Sequence, residues 1–198
     1  MQPTPVDAQA LLAYAGNVLG QALALAAAHE APGAPPFADH VGPHLRHVIE
    51  HYESWLGAAG GQHIDYDRRA RDASLERSPA LARARLQAIQ QRLAHWPRAQ
   101  LTMPLCVRAC IGLAGEFPCT TDSSFGRELL FVTSHAVHHF ALLQLHCRQH
   151  GIRIAADFGK APATVAHERA RAHATPHDIQ EETPWTNVLI PASISVRM

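Results

Sequence analysis

The sequence predicts an all-α protein: a four-helix bundle with a longer, partly extended connection between its third and fourth helices. Three observations point there. Four stretches repeat apolar residues at helical spacing, and each is bounded by a capping residue, a proline or a glycine. No repeat of solenoid period interrupts them. The 198 residues, 47% of them apolar, suffice for one domain with its own core.

Thr4-Pro5 followed by Asp7 reads as a cap, a first-turn proline and a first-turn acid, and Leu11, Ala15, Val18, Ala22 and Leu25 then share one face. The first helix is expected from about Pro5 to His29. Residues 31–36 (APGAPP) break it, and after Gly42-Pro43 a second helix places Leu45, Val48, Ile49, Tyr52, Trp55 and Leu56 on one arc, ending at Gly57–Gly61. Ile64–Asp72 reads as an exposed charged loop, with Arg68, Arg69 and Arg71 solvated. Ser78-Pro79 starts a third helix that runs to Pro97. From Leu101 to Ile111 apolar residues alternate at first, the mark of a short strand or hairpin. A long helix follows from Ser123 or Ser124 to His150, stopped by Gly151; apolar residues nearly all round it suggest a helix at the centre of a bundle. A helical segment near Val165–His173 closes the domain, expected over residues 1–174. Residues 175–198 lack a period and read as an irregular C-terminal extension.

Seventeen basic residues against seventeen acidic give no formal charge, which argues against nucleic acid and anionic membranes as partners. The longest apolar run, Ala22–Ala28, is far shorter than the roughly 20 residues of a membrane span. With no basic residue before the first apolar stretch, a cytoplasmic location is expected. Cys106, Cys110, Cys119 and Cys147 fit no zinc-knuckle spacing and read as reduced, mostly buried thiols.

Histidine is the exception to this neutral composition: there are 15. Six fall in two clusters, His44/His47/His51 on the second helix and His135/His138/His139 on the fourth. His135 and His139, one turn apart, can point at one ion, and a histidine from a facing helix would complete a three-imidazole site with a position left open. His138 projects about 100° away. On the second helix His44 and His51 sit nearer the apolar arc than His47, so geometry alone leaves the third ligand open. Other architectures lack their signatures: there is no Glu-x-x-His pair of a di-iron bundle, and His135-Ala-Val-His138-His139 has no glutamate for a zinc protease.

Val41–Leu56 (VGPHLRHVIEHYESWL), Thr133–Leu143 (TSHAVHHFALL) and residues 158–164 (FGKAPAT) resemble the motif segments of the DinB/YfiT-like four-helix bundles. The resemblance covers about residues 7–165. It implies a divalent metal held by His47, His135 and His139, because Leu45-Arg46-His47-Val48 matches the family's second-helix core; His51 is the substitute. It also implies a homodimer and an enzyme of thiol-transfer or hydrolytic type that activates a bound thiol or water on a small-molecule substrate. His138, Tyr52 and Glu128 are then candidates for moving protons. The metal is expected to be zinc, nickel or iron, which suit imidazole. The rival expectation is a non-catalytic, stress-related metal-binding or structural-metal protein, and a third is a metal-free, pH-responsive histidine cluster.

Overall fold

Asp7 accepts hydrogen bonds from the amides of Gln9 and Ala10, and this cap opens α1 (Ala8–Ala28). The computed structural model describes residues 7–173. The expected Thr4-Pro5 start and the extension over 175–198 lie outside the described residues. Along α1 the residues Ala15, Val18, Leu19, Ala22, Leu25 and Ala26 are buried, the spacing of one helical face. α1 is also long and apolar enough to cross a membrane, but this face packs into the core.

α2 (Val41–Gly57) buries the whole predicted arc, with Leu45, Val48, Ile49, Tyr52, Trp55 and Leu56 at most 1% exposed. α3 (Ala73–Arg77) is a short helix capped by Asp72, and α4 (Pro79–Ala94) starts at Ser78, whose hydroxyl accepts from the Leu81 amide. α5 (Phe125–Gln149) is capped by Ser124. The four long helices share one core: α1 packs on α4 and α5, and α2 on α4 and α5.

The protein is not all-α, and the expected four-helix architecture is corrected here. The described residues hold six α-helices and a three-stranded mixed sheet. β2 (Pro104–Ile111) and β3 (Phe117–Ser124) form a full antiparallel hairpin, from Pro104↔Ser124 to Ile111↔Phe117. Its turn uses Gly112 and Gly115 at positive φ. β1 (His63–Asp65) joins β2 in parallel, with Ile64 opposite Val107. The stretch expected to be an exposed loop is therefore partly structural: Ile64 and Tyr66 are buried. The alternation expected over Leu101–Ile111 marks β2, whereas β3 (FPCTTDSS) leaves no such mark because its burial is slight and it is rich in poor strand formers. α5 is not enclosed either, since Leu130, Leu142 and Leu145 are about half exposed or more.

Two glycines set close approaches. A Cβ on Gly42 would stand 2.0 Å from the Glu76 carbonyl oxygen, so glycine lets α2 and α3 touch backbone to backbone. Gly159, at φ +65, lies against the backbone of Phe140 and Ala141. There Phe158 stacks on Phe140 and the Gly159 amide donates to Gln21.

The chain divides into two compact units, Met1–Ala161 and Pro162–Met198. The described element of the second is α6 (Pro162–His173).

Candidate metal centre and adjoining cleft

Where α2 meets α5, each helix carries histidines along the border of its buried face. His47 Nε2 lies 2.8 Å from His135 Nε2, which lies 3.2 Å from His139 Nε2. One ligand atom from each of the three lies within 4.8 Å of the others, and among the described residues no other group of three histidines, cysteines or acids is drawn so close. Two nitrogens on one ion at 2.0–2.1 Å stand about 3–3.4 Å apart, so the donor set fits a transition ion with little rearrangement.

Burial pulls the pKa of His47 and His139 down to about 3, helped by neighbouring histidines, and lowers that of His135. All three are thus neutral near pH 7, the form that ligates metal. His51, the alternative to His47, is otherwise engaged. Its Nδ1 donates to the His47 carbonyl at 2.7 Å, and its Nε2 faces Arg69 at 3.5 Å. Burial lowers its pKa to about 4.

His44 has a different place. Its Nδ1 lies 2.7 Å from His139 Nδ1, and in the tautomer in which His139 Nδ1 donates to His44 the lone pair of His139 stands on Nε2, facing His135. His44 positions a donor without joining the group. Replacing it with alanine should weaken zinc binding about 10–100-fold while stoichiometry at saturating zinc is unchanged; competition against a chromophoric chelator measures this, and wild-type affinity would refute the role.

Of the three residues expected to move protons, only Glu128 borders an opening. The Tyr52 hydroxyl is fully buried and donates to Thr133. His138 is exposed, its ring centre 6.4 Å from that of His135. Glu128, 5% exposed, accepts from the hydroxyls of Tyr66 (2.9 Å) and Ser123 (2.6 Å). Burial and the Glu128 charge raise the Tyr66 pKa, so this phenol remains a donor.

Together these residues wall a cleft of about 480 Å³ between the hairpin and α5, lined by Tyr66, Val107, Arg127, Glu128 and Phe131 among others. Two of its walls also touch the histidines. Phe131 stacks on His135 with centroids 5.7 Å apart, and Tyr66 on His51 at 5.3 Å.

Arg69 was expected in solvent but is tucked inward. Its guanidinium donates to the Tyr66 carbonyl and lies 3.8 Å from Glu50. Glu50, 2% exposed, also holds Arg46 at 3.1 Å and accepts from the Asp72 amide at 2.7 Å. Sequence reasoning missed Tyr66, Arg69 and Phe131 as neighbours of the histidines; the one signal was an apolar Ile64 and an aromatic Tyr66 within a charged stretch.

The cysteines build no site. All four are free, and only Cys147 is buried, which corrects the expectation of mostly buried thiols. Cys110 and Cys119 sit at adjacent hairpin pairs, Cys110↔Pro118 and Ala109↔Cys119, and so project to opposite faces.

No family model matches the chain. No solved structure matches it either. Among curated proteins the chain is similar to FK506-binding protein 5 of Rhizopus delemar, at 33% identity over 104 residues. That stretch is 52% of this chain, which spans only about a quarter (27%) of the relative's length. These findings overturn the DinB/YfiT-like resemblance, together with the thiol-transferase, hydrolase and stress-protein readings that accompanied it. The physical reason is plain: in a chain with 15 histidines, a histidine pair four residues apart and a Leu-x-His triplet are weak family markers.

Proposed function

We propose that this chain binds a small molecule in the cleft of Tyr66, Arg127, Glu128 and Phe131, beside a histidine centre that takes a divalent transition ion. The observation that carries this reading is the sharing of walls: Phe131 and Tyr66 line the cleft and also stack on His135 and His51. Tyr66, Val107, Ala109 and Phe131 give the cleft apolar surface, while Thr121, Asp122, Ser123, Ser124, Arg127 and Glu128 supply polar groups that can orient a small molecule. His47, His135 and His139 are the donors for the ion, with zinc, nickel and iron the candidates by ligand type. A three-imidazole ion keeps coordination positions open to a further ligand.

Metal content of untagged protein tests the centre. The His135→Ala/His139→Ala variant should hold one zinc, nickel or iron per chain fewer than the wild type; equal metal in both proteins would reject the donor set.

The similarity to an FK506-binding protein favours one kind of occupant, an FK506-like molecule with an apolar body and a few polar groups. Titration with FK506 should saturate at one molecule per chain. Phe131→Ala, which removes a cleft wall, should weaken binding by about tenfold or more, in line with about 1.4 kcal/mol or more for a lost aromatic contact. Binding unaffected by Phe131→Ala would place the ligand elsewhere, and no binding would remove FK506-like molecules from the reading.

A further inference from the structure

A second group of histidines stands apart from the first, where the C-terminal ends of α1 and α5 meet the start of α2. His29 caps α1, His40 stands just before the first turn of α2 with its side chain making no capping bond, and His146 and His150 lie in and just after the last turn of α5. Ring centroids are 5.0 Å apart for His40 and His146, 4.5 Å for His146 and His150, and 6.2 Å for His29 and His146. Imidazoles that share an ion have centroids roughly 5–6 Å apart, given metal–nitrogen bonds near 2.0–2.1 Å.

Two of these rings are buried with a nitrogen that has no partner: His29 Nε2 and His146 Nε2. In His29 the other nitrogen is committed, since Nδ1 donates to the Leu25 carbonyl at 2.9 Å. That bond fixes the tautomer and leaves the lone pair on the buried Nε2, the arrangement by which metal-ligating histidines are oriented. Phe37 packs edge-on against the same ring at 5.5 Å, so His29 is held in place. His40 and His150 are exposed and open the group to solvent.

We propose that His29, His40 and His146 form a second site for a divalent transition ion, with His150 as an additional donor, independent of the centre at His47, His135 and His139. The donor atoms of this second site are not drawn as close as those of the first centre, so an ion gathers the two orphaned nitrogens as the rings turn toward it. The rings of His29 and His146 are nearly parallel, 14° apart, so uptake turns the His146 ring about its terminal torsion. That torsion is broad and soft in histidine. Borderline cations such as zinc, nickel and cobalt(II) match an all-imidazole donor set.

Cobalt(II) and zinc titrations of the untagged full chain test the site, with circular dichroism confirming that each variant is folded. Wild-type protein should take two ions. His40→Ala/His146→Gln should take one, as should His135→Ala/His139→Ala, and the fourfold variant none that survives a chelator wash. A wild type that takes one ion, lost in His135→Ala/His139→Ala, overturns the proposal; so does a second ion that persists in His40→Ala/His146→Gln. Should the first centre alone fail, His135→Ala/His139→Ala will bind as wild type does, and the second site is still judged by its own variant. On wild-type protein alone, zinc added to saturation should move the ring ¹⁵N resonances of His29 and His146; resonances unmoved at saturation overturn the proposal without any mutation.

Discussion

Replacing Glu50 with alanine should lower the stability of the protein by about 3–5 kcal/mol, the range for a buried ion network that loses one partner. The carboxylate is 2% exposed and stands between Arg46 and Arg69, whose side chains are only 18% and 14% exposed. Removing it leaves Arg69 without its carboxylate partner and Arg46 with Glu76 alone. It also frees the Asp72 amide, and with it the cap of α3 and the stretch that carries Arg69 over His51. Urea denaturation measures the loss, and hydrogen exchange at Asp72 reports the loosened stretch. Glu50→Gln is the control, because it keeps an acceptor for Asp72 while giving up the charge. A loss below about 1 kcal/mol in Glu50→Ala would show that the two arginines find other partners.

Metal-free protein should become steadily less stable as the pH falls below 6.5. The ordinary histidine pKa near 6.5 governs the unfolded chain, whereas in the folded protein burial holds His47 and His139 near 3 and His51 near 4. Above pH 6.5 these residues are neutral in both states, and their contribution to stability does not change with pH. Below it the unfolded chain takes up protons that the folded protein refuses, so the balance tilts toward unfolding until the pH nears 4 to 3. These rings are partly reached by solvent, which moderates the effect. A fall in Tm of about 5–10 °C between pH 6.5 and 5 is expected in chelator-treated protein. The slope should flatten in His47→Ala/His139→Ala, and zinc should steepen it, since protons and metal compete for the same nitrogens. A Tm constant over this range would mean that the imidazoles are far better hydrated than their burial implies.

The long helices were legible in the sequence because each leaves a periodic trace. The arc of α2 and the serine that starts α5 could be read residue by residue. The alternation of β2 was legible too, but its partners were not. β1 has three residues, too few for a period, and β3 draws its place from β2 rather than from its own composition. The error in fold class follows from that, since a strand made by its partner looks like a loop when read alone. At the site, the i, i+4 spacing of His135 and His139 pointed to their convergence. The choice of His47 over His51 rested on a resemblance that did not survive comparison. What distinguishes the two in the structure is a hydrogen bond from His51 back to the His47 carbonyl, which no wheel displays.

The parallel pairing of β1 with β2 joins His63 to Cys106, and α3 and α4 lie on the chain between them. A parallel pair cannot close through a tight turn and must wait for the intervening chain to be ordered. Helices, with their local contacts, form ahead of such long-range strand pairs. His47 and His135 stand 88 residues apart, farther than His63 from Cys106, so the histidine group and the Tyr66 wall both wait on long-range contacts. Both therefore depend on late, long-range docking rather than on any one helix or hairpin.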